Sequence, residues 1–339
     1  VYRLAILCLA AAPALLYAQM RKQGSPLDHL PKHIEILTHF GERADFSPDN
    51  QRVAFMAKSF GDAFVVDLKT RVIRCLTCSI PGAAFLRIMH LPNGDYILIG
   101  PERFTDIRTS RGPDNELWFL SSKPGAKPVR FGQRMSEGAA ISKKHMRVAY
   151  SETSTQNPEL ARGSSRLIVA DVELAGATPR ITQKKVVHTS PDRSCVIEAQ
   201  DFYDNDSKLT FSCYEPEGMA SVMSIDLASG AAENMSKAPG TYNEPEGIFP
   251  DGKYTLVEAD RQVQTLGGKG GFREIDIWKL RLDATGRDFT RLTSFNDYEG
   301  WKASNPVIST DGRWMAFQVA RTADEAGVGY GICLYRLGK

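Results

Sequence analysis

The chain has 339 residues, 42% of them apolar and 24% charged, and a formal net charge of only +2. That balance suits a water-soluble folded chain with room for a sizeable core. With no long run of one sign, it gives no electrostatic footprint for a nucleic-acid groove or an anionic membrane surface.

Residues 1–18 read as a secretory signal peptide. Arg3 supplies a positive start, 4–16 is a short apolar run, and Tyr17 and Ala18 precede Gln19. The run is too short to span a bilayer, and no second apolar run of about 18 residues follows, so no membrane span is expected. The mature chain is expected to be periplasmic or secreted and a monomer. Residues 19–32 form a polar, proline-containing arm, and 33–339 form one domain.

From residue 33 onward one cadence repeats. ADFSPDNQRVAF (44–55) is a short strand, a turn on Pro-Asp-Asn, and a second strand. The cadence returns as IMHLPNGDYILI (88–99), AAISKKHMRVAY (139–150), QDFYDNDSKLTF (200–211), EGIFPDGKYTLV (246–257) and PVISTDGRWMAF (306–317). Proline presets φ early in such a turn, and Gly, Asn or Asp tolerates the left-handed conformation that closes it, so each copy is a hairpin. A β-branched and aromatic third strand follows each hairpin, at 63–68, 116–121, 166–172, 222–227, 276–282 and 331–337. Fourth strands follow at 72–77, 128–132, 180–185, 231–236 and 288–293, but the last copy has none. The missing strand stands at the front, where HIEILT (33–38) is similar to DFTRLT (288–293). Six four-stranded units closed by an N-terminal strand describe an all-β, six-bladed β-propeller, in which pairing the termini removes the open edges. Two stacked sandwiches would not explain the displaced strand.

FSPDNQRVAF, IFPDGKYTLV and ISTDGRWMAF, each followed by a D-L-type strand and an R-L-T-type strand, resemble the repeat of TolB-type, WD40-like bacterial propellers. The resemblance covers nearly all of the mature chain and is strongest in copies one, five and six. It implies a blade and says little about activity. The α/β domain of TolB itself has no counterpart in the short arm, so a Tol-system role is not implied.

Turns between strands one and two, and three and four, open on one face of a propeller; the other connections open on the opposite face. The first set is tight here. The second carries long loops at 101–115, 151–165, 259–274 and 321–331. Long loops on a rigid scaffold are where binding residues gather. The interblade segments TYNEPEG (241–247) and FNDYEGWKASNP (295–306) reach the same face near the channel. The expected binding set is therefore Glu244, Glu246, Glu258, Arg261, Asp297, Glu299, Lys302, Asn305, Arg321 and Glu325, around Trp301.

Other chemistry leaves no signature. The six histidines do not recur at matching blade positions, and His90 takes a core position. There is no G-x-S-x-G elbow, and GGKGG (267–271) lacks phosphate-loop spacing. QDFYDNDSK lacks the glycine and closing glutamate of a calcium loop. No cofactor is indicated and no metal ligand set is assigned. An oxidising compartment makes disulfides the best account of the cysteines. Cys75 pairs with Cys78 if the strand turns by Thr77, or one of the two joins elsewhere. Cys195 and Cys213, on the arms of one hairpin, form a second bridge, leaving Cys333 a buried thiol. The functional expectation is a non-catalytic exported propeller recognising an envelope protein or glycan through the long-loop face. The alternative is a carbohydrate lyase or hydrolase using carboxylates at the channel mouth.

Overall fold

The structure, a computed structural model, describes residues 20–174, 178–324 and 327–338. The expected signal peptide and Glu325 lie outside the described residues. Six four-stranded antiparallel sheets succeed one another along the chain. Blade 1 is Glu42–Phe46, Arg52–Met56, Ala63–Asp67 and Ile73–Cys75; blade 2 is Arg87–His90, Tyr96–Gly100, Glu116–Leu120 and Val129–Arg134. Blade 3 is Ala139–Ile141, Arg147–Thr153, Ser165–Glu173 and Arg180–Ser190; blade 4 is Val196–Tyr203, Lys208–Tyr214, Ala220–Asp226 and Ala232–Asn234. Blade 5 is Asn243–Ile248, Tyr254–Ala259, Asp276–Arg281 and Phe289–Arg291. Blade 6 takes Trp301–Ile308, Trp314–Arg321 and Ile332–Arg336 from the C-terminal end and Ile34–Thr38 from the front, with Ile34 opposite Tyr335 and Ile36 opposite Cys333. The ring is a six-bladed β-propeller closed by the N-terminal strand.

The turns explain why the cadence folds this way. Ser47, Phe249 and Ser309 each donate their N–H at 2.9 Å to the carbonyl of Arg52, Tyr254 and Trp314. In the same turns the Asp49, Asp251 and Asp311 carboxylates accept the N–H of Gln51, Lys253 and Arg313 at 3.1, 3.0 and 3.0 Å. The closing residues Asn50, Gly252 and Gly312 sit at φ 55°, 68° and 69°, the left-handed region that Asn and Gly tolerate. Copy three, without Pro or Gly, uses Ser142 instead. Its Oγ accepts from Lys144 N at 3.0 Å and His145 N at 2.9 Å.

The cores lie between neighbouring blades. Ile97, Ile99 and Leu117 of blade 2 pack on Ile141, Val148 and Tyr150 of blade 3, while Phe46, Val53 and Phe55 of blade 1 pack on Ala316, Ile332 and Leu334 across the closure. His90 of blade 2 is buried against blade 1, with Nδ1 2.8 Å from Asp45 Oδ2. The arm lies against the turn between blades 5 and 6 and the long loop of blade 5. Lys22 N donates to Asp297 O at 2.7 Å, and Arg21 pairs with Glu274 at 3.0 Å. Among the described residues no helix is long and apolar enough to cross a membrane.

Cys75 ends its strand, and the chain turns through Thr77, whose Oγ1 accepts from Ala63 N at 3.0 Å. Cys75 and Cys78 are bonded, with Cα atoms 5.8 Å apart. Cys195 and Cys213 form the second bridge, with Cα atoms 4.9 Å apart. Cys333 is free and buried, and burial pushes its thiol up to about 12.

Candidate functional site

The innermost strands line the axis. Glu244 and Glu246 on the inner strand of blade 5 both line the channel, Glu246 inside the register shift between Pro245 and Ile248. Glu258, on the adjoining strand, stands directly opposite Glu244 in the ladder. Like charges in that relation are unfavourable, so the sequence works against its own sheet here. One carboxylate oxygen from each of Glu244, Glu246 and Glu258 lies within 4.8 Å of the others.

Two β-bulges aim neighbouring groups at the same place. The ladder of blade 6 shifts register between Ser304 and Val307, and that of blade 1 between Glu42 and Asp45. Inside these bulges Asn305 and Arg43 adopt φ 48° and 53°, which is uncommon outside glycine. The bulge at Asn305 turns its N–H to Glu258 Oε1, a side chain of the preceding blade. Arg43 N repeats the device by donating to Gln318 Oε1 at 3.0 Å. The same interblade latch is thus built once on a carboxylate and once on a neutral amide.

These groups open into a cavity of ≈380 Å³ at the long-loop end of the channel, within the roughly 300–1,000 Å³ typical of ligand sites. Its charge is divided. Blades 1 and 2 supply Arg43, Arg87 and Arg111; blades 3, 4 and 5 supply Glu137, Glu198, Glu244, Glu246 and Glu258; blade 6 supplies Lys302 and Asn305. Arg111 comes from the short helix Ile107–Arg111 in the 101–115 loop, and with Arg43 it clamps Glu137, at 2.5 Å from Nε and 2.9 Å from Arg43 Nη2. Gly138 leaves room for the Glu198 carboxylate; a β-carbon there would overlap it. The Tyr214 hydroxyl lies between Glu198 Oε2, at 3.1 Å, and Glu244 Oε1, while the Tyr242 hydroxyl donates to Glu244 Oε2. Lys302 Nζ donates to Phe272 O at 2.9 Å.

Electrostatics follows this division. Burial alone would push the Glu137 carboxyl up, but the Arg111 and Arg43 guanidiniums overturn it and hold it at about 2. Glu198 has no such clamp, and burial followed by repulsion from Glu137 and Glu244 lifts it to about 8. Burial and then Glu244 raise Glu258 to about 7. Burial, Glu258 and Glu244 carry Glu246 well above the usual carboxylate range. Burial lowers Lys302 against the pull of Glu258 and Glu244.

Of the residues expected from sequence, Glu244, Glu246, Glu258, Lys302, Asn305 and Arg321 line this cavity, Arg321 with its guanidinium 3.8 Å over the Trp301 ring. Three others do not. Asp297 lies in the turn Phe295–Asp297, which swings it outward to Arg291 at 2.7 Å. Glu299 faces the arm, accepting from Gln23 Nε2 at 2.5 Å. Arg261 lies 3.9 Å over the Phe289 ring on the outer strand. Sequence reasoning missed Glu137, Glu198, Arg43, Arg87 and Arg111. A signal existed: five residues before the first turn residue stand Glu42, Glu137, Glu198 and Glu244, the same position in four repeats.

Six closed blades around a charged, loop-roofed channel mouth define the class: a β-propeller with a binding-type cavity on its axis. No protein-family model matches the chain, and no curated protein matches it in sequence. Solved structures match in fold. A putative TolB from Agrobacterium tumefaciens is 15% identical, with TM-score 0.51 over 81% of this chain and 97% of that one. Hydrazine synthase from Kuenenia stuttgartiensis is 12% identical, with TM-score 0.54 over 87% of this chain and 83% of that one. The calcium-binding protein regucalcin from Agrobacterium tumefaciens is 8% identical, with TM-score 0.54 over 88% and 92%. At these identities the likeness is one of fold, and it includes the TolB propeller that the repeat resembles.

Proposed function

We propose that this chain is an exported, non-catalytic binding propeller that recognises an envelope protein through its long-loop face. The observation that carries this reading is the charged cavity of ≈380 Å³ opening on that face, where the same set of connections also exposes apolar side chains, Phe272 and Val328 at the cavity itself. Phe40, Phe104, Ile107, Phe272, Val328 and Tyr330 are each between 37% and 52% exposed. Exposed apolar side chains on the face of a polar cavity suit a protein surface better than a glycan. Export is supported by the character of residues 1–18 and by the two disulfides. The glycosidase reading has less support. The three blade 5 carboxylates converge within 4.8 Å on one side of the cavity, which excludes an inverting pair at roughly 6.5–9.5 Å and leaves only the closer retaining arrangement of roughly 5–5.5 Å. Glu244 is also held by two tyrosine hydroxyls.

The test is site-specific photocrosslinking in the envelope. A photoreactive residue at Ile107 or Val328 should give a discrete protein adduct, and one at Asn205 or Asp251, on the tight-turn face, should give none. Adducts from the turn face alone, or equally from both faces, would overturn the assignment.

A further inference from the structure

Glu137 is clamped by two guanidiniums, whereas Glu198, Glu244, Glu246 and Glu258 have no Lys or Arg nitrogen at ion-pairing distance among the described residues. Blade 5 therefore presents carboxylates that Arg87 and Lys302 offset only from a distance, without an ion pair. A second observation, independent of the acids, points the same way. Ser304, on the inner strand of blade 6, lines the same cavity and is 2% exposed, yet its Oγ has no hydrogen-bond partner. The Glu246 carboxylate, 7% exposed, lines the same cavity and accepts no hydrogen bond from the described residues, and Arg87 Nε is also without a partner there. Buried polar atoms are rarely left so unless something else completes them.

The geometry accommodates an ammonium as the missing group. Three acceptors around one ammonium nitrogen, each at ~2.8 Å, stand roughly 4.6 Å from one another, and the three carboxylate oxygens here lie within 4.8 Å of one another. A guanidinium, planar and forked, prefers to meet one carboxylate edge-on and does not match three converging oxygens. A calcium ion takes six to eight oxygens, whereas Glu244 is already engaged by Tyr214, Tyr242 and Gln200, and Glu258 by Asn305 N. Tyr214, Tyr242 and Phe272 also line the cavity, and an aromatic wall suits the methylene stem and charge of an alkylammonium.

We propose that the channel mouth receives the side-chain ammonium of a lysine presented by the protein partner, held by Glu244, Glu246 and Glu258 with Ser304 completing its surroundings. This rests on the binding-propeller reading and names the group that reading leaves open. Phe272 and Val328 at the cavity then meet the residues flanking that lysine.

The probe is the capped tripeptide acetyl-Gly-Lys-Gly-amide, titrated into the full chain by calorimetry at low salt beside its Nε-acetylated form. The lysine peptide should bind, and acetylation should weaken it at least tenfold. Glu246→Gln should weaken the lysine peptide by a similar factor, while Glu299→Gln, outside the cavity, should not. If Glu246→Gln fails to fold, Ser304→Ala, a smaller change, should still lower the affinity severalfold. Equal binding of both peptides, indifference to Glu246→Gln and Ser304→Ala, or binding of calcium chloride without the lysine peptide would each overturn the proposal. Should the crosslinks from Ile107 and Val328 persist in Glu246→Gln, the binding propeller stands and the lysine assignment falls.

Discussion

Replacing Glu258 by Gln should make the protein more stable at alkaline pH and leave it almost unchanged in acid. Glu258 is 5% exposed, faces Glu244 across the ladder, and has Arg87, Lys302 and Asn305 around it. Its carboxyl is raised from 4.5 to about 7, first by burial and then by Glu244. The folded chain therefore holds this proton more tightly than the unfolded chain does. The stability it contributes is fully present below about pH 4.5 and is lost as the pH rises through about 7. At ~1.4 kcal/mol per pH unit, the ionised carboxylate costs about 3 kcal/mol above that window. Repulsion shared with Glu246 and Glu198 makes a gain of roughly 1–3 kcal/mol the realistic expectation for the neutral variant. Gln318 shows that an amide oxygen serves the interblade latch as well as a carboxylate, since it accepts Arg43 N at 3.0 Å. Glu258→Gln thus keeps the hydrogen bond from Asn305 and removes only the charge. Urea denaturation of wild type and variant at pH 5 and pH 8.5 measures the difference. A variant equally destabilised at both pH values, or a difference that does not change with pH, would refute the reasoning.

Two further outcomes are expected. Cys195→Ser should cost about 3 kcal/mol and Cys75→Ser about 2 kcal/mol by loop-closure entropy, because the bridged residues are 18 and 3 apart respectively; urea midpoints under non-reducing conditions give the order, and the reverse order would contradict it. Asp276 is fully buried and accepts from Thr293 Oγ1 at 2.9 Å, Phe295 N at 3.0 Å and Arg291 Nη2 at 2.5 Å. Asp276→Ala strands those donors and should lower stability by about 3–5 kcal/mol, read as a fall in the thermal midpoint; a change under 1 kcal/mol, against a surface control such as the exposed Glu159→Ala, would show that the network is not holding blades 5 and 6 together.

The blades were legible because their turns are written in local chemistry. A carboxylate that accepts an N–H two residues on, followed by Asn or Gly at positive φ, marks a hairpin whatever surrounds it, and Asp49-Asn50, Asp251-Gly252 and Asp311-Gly312 repeat that sentence. The displaced strand Ile34–Thr38 was legible for the same reason, as the missing member of a counted set. The cavity was half legible. Glu244, Glu246 and Glu258 sit on paired strands of one blade, so local reasoning groups them. Arg43, Arg87 and Arg111 reach the same space from across the axis, and only closure of the ring makes them neighbours. Asp297 and Glu299 were misplaced because the turn Phe295–Asp297 and the docked arm offered them nearer partners in Arg291 and Gln23.

The closure also bears on how the molecule is made. Ile332 N donates to Thr38 Oγ1 at 3.1 Å across 294 residues of sequence. A chain emerging from its N-terminus produces Ile34–Thr38 first and the strand it pairs with last. Throughout synthesis that early segment is an unpaired edge with apolar Ile34, Ile36 and Leu37, a template for wrong pairing. Contacts this distant also close late, since the entropy of the whole intervening loop must be overcome before any reward arrives. The slow step of folding should therefore be the docking of Ile34–Thr38 on Ile332–Arg336, so that the early strand stays adhesive until its partner arrives and is then covered.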